Sequence, residues 1–254
     1  MRILAEIEAV SASGKKWRAL PQMSLLVSVV ATLGCGALLI APAVSRADEP
    51  LISAEAAASC PDVQVVFARG TGEPPGAGRV GEAFVDSLRS LVNGKSVAAY
   101  NVEYPASYDF LRAIDGVNDA GVFIQNTVES CPQTEMVLGG YSQGAAVVDI
   151  LAATGRPILG FTSPLPDTVA DHIAAVAVFG NPSNRIGDPL TTLSPLYGSK
   201  AIDLCNGADP VCSNGNDTAA HSLYVETGMT TQAAQFVTGR LKGAQTTQLA
   251  AGSS

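Results

Sequence analysis

Serine at its free pKa is a poor nucleophile. One that attacks a carbonyl needs a histidine base and a carboxylate that holds the imidazole in one tautomer. The 254-residue chain contains a single G-x-S-x-G, Gly140-Tyr141-Ser142-Gln143-Gly144, and only two histidines. The flanking glycines let the backbone turn sharply at Ser142, between an apolar run (E-M-V-L-G-G) and a helix-like one (A-A-V-V-D). A strand-to-helix elbow of that kind lifts Oγ above a sheet. It also turns the N–H of Gln143 toward the same space, a ready donor for an oxyanion.

His172 stands in V-A-D-H-I-A-A-V, at the entry to a predicted strand. Sites on parallel sheets lie beyond the strand exits, so His172 reads as structural. His221 follows all the strands, in a polar, turn-rich segment, and keeps the chain order Ser, Asp, His. Seven aspartates lie between Ser142 and His221. Asp209 sits in C-N-G-A-D-P-V-C, between Cys205 and Cys212, where a short disulfide loop would be a stiff mount. Asp203 and Asp217 are the alternatives.

These side chains need a scaffold, and strand-like and helix-like runs alternate along the chain. Val63–Ala68 reads as a strand, followed by a Gly/Pro loop, R-G-T-G-E-P-P-G-A-G. A helix is predicted over Arg79–Leu91 and a strand over Ser96–Val102. A long helix follows over Phe110–Val128, with Phe110, Leu111, Ile114, Val117, Val122, Phe123 and Ile124 as its apolar positions. Glu135–Gly139 is a strand entering the elbow, and Gln143–Ala153 the helix leaving it. Ile173–Phe179 lacks alternation, as a strand buried on both faces does. Lys200–Leu204 is a fifth strand, and the last helix ends at Leu241, starting near Ala219 or Gln232. The alternation predicts a mostly parallel sheet covered on both faces.

Met23–Ile40 carries no charge, follows Lys15, Lys16 and Arg18, and precedes A-P-A-V-S-R-A-D. That pattern predicts a secretory signal over residues 1–47, cleaved before Asp48, rather than a retained membrane anchor. Met23 is a candidate start. Residues 48–59 are an N-terminal extension, 60–242 the domain, and 243–254 a flexible tail. Residues 48–254 hold ten basic and 21 acidic residues, a net −11. A surface this acidic, with no basic run, excludes nucleic acid and gains nothing from anionic headgroups.

Outside the signal, four cysteines permit three pairings. Cys205 and Cys212 are near enough to close a small loop, which leaves Cys60 for Cys131, as disulfides in an exported chain. With no C-x-x-C, a zinc site is the weaker reading. Leu165, Leu190, Leu193, Leu196, Leu223 and Val225 are candidates to line an acyl cleft. The plainer reading makes most of them core or ordinary surface residues.

Three motifs taken together resemble a known family. A-R-G-T-G-E (Ala68–Glu73), G-Y-S-Q-G (Gly140–Gly144), and C-N-G-A-D-P-V-C followed by H-S-L-Y (Cys205–Tyr224) look like those of cutinases. The likeness is strongest to bacterial cutinase-like secreted esterases and runs from about Cys60 to Leu241. It implies an α/β-hydrolase fold with a five-stranded, mostly parallel sheet, helices on both faces and no large lid. It implies Ser142 as nucleophile, His221 as base and Asp209 as the triad acid. Thr71, through its N–H and hydroxyl, and the Gln143 N–H would form the oxyanion hole. The pairings Cys60–Cys131 and Cys205–Cys212 carry over.

The implied activity is that of a secreted serine esterase, free or held at the cell envelope, cleaving short- to medium-chain fatty acyl or polyester bonds. It calls for an ester or lipid substrate, no metal or organic cofactor, no membrane span after cleavage, and a monomer. The rivals are a lipase, phospholipase or acyltransferase for longer chains with the same triad, and an inactive exported surface or binding protein. Ser163–Gly198, on the acyl side of the cleft, is unmatched by these motifs and leaves chain length open.

Overall fold

The computed structural model describes residues 60–155 and 160–242. The expected signal, the N-terminal extension and the tail lie outside those residues.

Five strands, β1 (Val63–Ala68), β2 (Val97–Asn101), β3 (Glu135–Tyr141), β4 (Ile173–Phe179) and β5 (Ala201–Leu204), form one sheet in the order β2-β1-β3-β4-β5. Every pairing is parallel. β1, β3 and β4 have almost wholly buried side chains, which is why these runs are apolar without alternation. β2 lies at an edge and is only half-buried.

The two faces bury separate cores. Val66, Met136, Leu138, Val176 and Val178 pack with α2 (Ala113–Ser130) and α3 (Gln143–Ala153). Val65, Phe67, Val137, Ala177 and Phe179 pack with α1 (Gly78–Leu91) and the C-terminal helix, Met229–Thr238. Two one-turn helices, α4 (Pro182–Arg185) and α5 (Leu190–Leu193), follow β4, so the C-terminal helix is α6. The chain steps from β1 outward to β2, then back past β1 to β3. The loops leaving β1 and β3 therefore diverge, and the crevice between them is where an open parallel sheet binds ligands.

Two expectations change, and the candidate cleft residues divide between core and surface. The long helix begins at Ala113, because Phe110–Arg112 forms a separate 3-10 turn. Phe110 and Leu111, on that turn, face solvent at 61% and 74% exposed, and Val122 lies on the outer side of the helix, 49% exposed. The last helix starts at Met229, after Gly228 in the left-handed region at φ 75°, while Ala220–Ser222 forms its own turn. Of the proposed cleft residues, Leu165 and Leu190 are core, whereas Leu196 and Leu223 are exposed. Among the described residues no helix is long and apolar enough to cross a membrane.

Candidate active site

Ser142 stands where β3 ends and α3 begins, with φ 56° and ψ −115°. A non-glycine residue at positive φ is strained, and it stays there only when its surroundings impose the turn. The flanking glycines make that turn possible. A Cβ on Gly140 would strike the Gly144 carbonyl, and one on Gly144 would strike the carbonyl of Ala68. The helix that starts at Gln143 leaves its first N–H groups without intrahelical acceptors, beside the serine.

His221 Nε2 lies 2.9 Å from Ser142 Oγ, and His221 Nδ1 lies 2.7 Å from Asp209 Oδ2. Ser142 is half-buried and Asp209 has no exposed surface. The Val211 N–H donates to Asp209 Oδ1 at 2.8 Å, and the Tyr224 hydroxyl donates to Oδ2 at 2.6 Å. A carboxylate accepts only, so His221 presents Nδ1–H to Asp209, and in the neutral ring the lone pair of Nε2 then faces the serine. The ring of Tyr141 stacks on that of His221, centroids 5.0 Å apart, and its hydroxyl donates to the His221 carbonyl at 2.5 Å. Burial pushes the Tyr141 phenol up to about 12, so it remains a donor.

The two disulfides join Cys60 to Cys131 and Cys205 to Cys212. The second closes the loop that carries Asp209. The alternatives to Asp209 are engaged elsewhere. Asp203 accepts from Asn181 Nδ2, Asn184 Nδ2 and the Leu190 N–H at 2.8, 2.6 and 3.0 Å. Asp217 accepts from the Ala219 N–H at 3.0 Å and so caps the turn that bears His221. His172 ends a 3-10 segment at the entry of β4, away from the elbow.

Thr71 lies in the loop after β1. Its hydroxyl makes a long 3.4 Å contact to Gln143 Oε1, while Gln143 Nε2 donates to the Ser107 carbonyl at 3.0 Å. The buried Gln143 side chain thus ties the Thr71 loop and the Ser107 loop to the elbow. Buried Arg69 donates to the carbonyls of Glu73, Val102 and Tyr104 at 3.0, 3.3 and 2.5 Å. The Glu73 carboxylate accepts from Gly70 N–H at 2.6 Å and Arg79 N–H at 2.9 Å. These bonds leave the Gly70–Glu73 backbone little freedom. Arg69, Glu73, Tyr141 and Tyr224 were not singled out from sequence. They lie within the motifs A-R-G-T-G-E, G-Y-S-Q-G and H-S-L-Y, which are the available signal.

The parallel sheet, the strained serine at the exit of β3 and the histidine returning over the sheet define an α/β hydrolase. The cutinase family model matches residues 59–241, and the chain belongs to the cutinase family. It is 54% identical over 226 residues to phospholipase Culp4 of Mycobacterium tuberculosis, covering 89% of this chain and 96% of that one. It is 50% identical to carboxylesterase Culp1 of Mycobacterium bovis, covering 81% and 90%. Among solved structures, Trichoderma reesei cutinase in complex with a phosphonate inhibitor superposes with TM-score 0.59 at 33% identity, over 72% of this chain and 77% of that one. The catalytic core of Trichoderma reesei acetyl xylan esterase gives 0.60 at 27% identity, over 72% and 100%. The protein is accordingly a carboxylic ester hydrolase.

Proposed function

We propose that Ser142, His221 and Asp209 form a catalytic triad in an exported esterase that cleaves short- to medium-chain fatty acyl or polyester bonds. The observation that carries this is the unbroken chain from Ser142 Oγ through His221 to Asp209, at 2.9 and 2.7 Å. His221 Nε2 takes the serine proton as Oγ bonds to the ester carbonyl carbon. The oxyanion is held by the N–H groups of Thr71 and Gln143, and by the Thr71 hydroxyl once it turns from its long contact with Gln143. His221 then protonates the leaving alcohol as the C–O bond breaks. Water, deprotonated by the same imidazole, releases the acid and restores Ser142. Each oxyanion donor contributes about 10² to 10³ in rate in comparable sites.

Export is supported by the two disulfides and by the uncharged run from Met23 to Ile40. A phospholipase reading has its own support. The Mycobacterium tuberculosis relative is named a phospholipase, and the Tyr108–Leu111 segment beside Ser107 exposes Tyr108, Phe110 and Leu111 at 81%, 61% and 74%. Hydrolysis of p-nitrophenyl esters of increasing acyl length, beside phosphatidylcholine vesicles and with Ser142→Ala as control, separates the two. A maximum at short or medium chains supports the esterase. Preferential vesicle hydrolysis supports the phospholipase, and no serine-dependent turnover of either would leave the inactive binding protein.

A further inference from the structure

We propose that Tyr224 is a positioning residue that sets the basicity of His221 through Asp209. The inference rests on the triad reading above. Both Tyr224 and Asp209 are wholly buried, and a buried carboxylate must be matched by donors. Asp209 has three: the Val211 N–H, His221 Nδ1–H and the Tyr224 hydroxyl. The last two converge on one oxygen, Oδ2, at 2.7 and 2.6 Å.

The direction of the tyrosine proton follows from its neighbours. The Asn206 N–H points at the Tyr224 oxygen from 3.2 Å and can only donate. The sulfur of Cys212, at 3.4 Å, is a disulfide atom and a weak acceptor. The hydroxyl has one proton, and an ionised oxygen at 2.6 Å is its strongest acceptor. Asn206 is fixed in turn, its Nδ2 donating to the Ala220 carbonyl at 2.8 Å, next to His221.

The ring alone accounts for the burial of Tyr224. It packs edge-on against Phe179 and Tyr141, with centroids 6.1 and 5.7 Å away. A phenylalanine would fill that space, so the hydroxyl is the part that packing does not explain. By donating to Oδ2, the hydroxyl draws electron density from the carboxylate, weakens the pull of Asp209 on an imidazolium and keeps His221 less basic. The other charged groups at the histidine turn, Arg79 on the Ser222 carbonyl and its partner Glu226 at 3.0 Å, are the same in parent and variants. It also blocks the carboxylate from rotating away from Nδ1.

The test is the pH profile of kcat/KM on a soluble p-nitrophenyl ester, whose acid limb reports the free-enzyme base. Tyr224→Phe leaves Asp209 one donor short, which favours protonated His221. The acid limb should move to higher pH by about half to one unit. Replacing Tyr224 by 3-fluorotyrosine keeps the hydroxyl and makes it a stronger donor, so the limb should move to lower pH. Opposite shifts support the proposal. An unmoved limb in folded Tyr224→Phe, or shifts of one sign in both proteins, overturns it. If Tyr224→Phe does not fold, the fluorotyrosine arm decides alone, an unmoved limb being the overturning result. Ser142→Ala and His221→Ala run alongside: full activity in either refutes the triad itself, a failure distinct from an unmoved limb.

Discussion

Replacing Asp149 by Asn should make the protein markedly more stable in alkali while leaving it little changed in acid. Asp149 lies on α3, about two turns beyond Ser142, and is 4% exposed. Its Oδ1 accepts from Asn181 Nδ2 at 3.1 Å, and its Oδ2 has no protein partner among the described residues. The same Asn181 nitrogen serves Asp203 at 2.8 Å, so two carboxylates share one amide. Burial, with the nearby charge of Asp203 adding to it, raises Asp149 from the ordinary 3.8 to about 7.

A carboxyl raised on folding binds more protons in the folded state than in the unfolded one. Stability therefore falls as pH rises from about 3.8 to about 7, and levels off above. At 1.36 kcal/mol per unit, the whole penalty is about 4 kcal/mol, an order-of-magnitude figure. Between pH 5 and pH 9 the advantage of Asp149→Asn over the parent should grow by about 3 kcal/mol. Urea unfolding of both proteins at the two pH values, with disulfides intact, measures it. An advantage that is the same at both would mean that Asp149 is already ionised at pH 5, and the burial argument would fail.

On the triad proposed above, Asp209→Asn should lower kcat by about 10⁴-fold with the fold intact, as loss of the orienting carboxylate does in serine triads. Near-UV circular dichroism and ester turnover check this together. Gly180→Ala should cost both stability and activity. The residue sits at φ 59°, and an added Cβ would lie 3.0 Å from His221 Cε1 and 3.1 Å from the Tyr224 hydroxyl. About 1 to 2 kcal/mol from the backbone is expected in a melting experiment, and kcat should fall further as His221 is displaced. Removing Cys60–Cys131 by paired serine substitutions should cost about 4 kcal/mol, because the bridge spans 71 residues. Activity should persist below the lowered melting point, since this bridge joins the entry of β1 to the exit of α2, away from Ser142.

The elements of this fold were legible because their causes are local. Apolar runs without alternation mark β1, β3 and β4, and the glycines flanking Ser142 are demanded by a turn that no Cβ could enter. Pairing of the cysteines was legible too, since a separation of seven residues leaves few other partners. Phe110 and Leu111 misled because apolar periodicity says nothing about a 3-10 turn that interrupts it. The cysteine-flanked loop favours Asp209 over Asp203 and Asp217 in the sequence, and the tertiary structure gives each its partners. One is tied to Asn181 and Asn184, one caps a turn, and one meets His221. Tyr224 is similar: fifteen residues from Asp209, it reaches the carboxylate only when the clipped loop and the histidine turn come together beside Phe179 of β4. Ser142 and His221 lie 79 residues apart, so their 2.9 Å contact depends on a parallel sheet that delivers both loops to one edge. The sequence by itself determined which residue types could do the chemistry and which runs form the sheet. Only the folded chain decided which of them meet, because a hydrogen bond depends on distance through space and sequence pattern reports only distance along the chain.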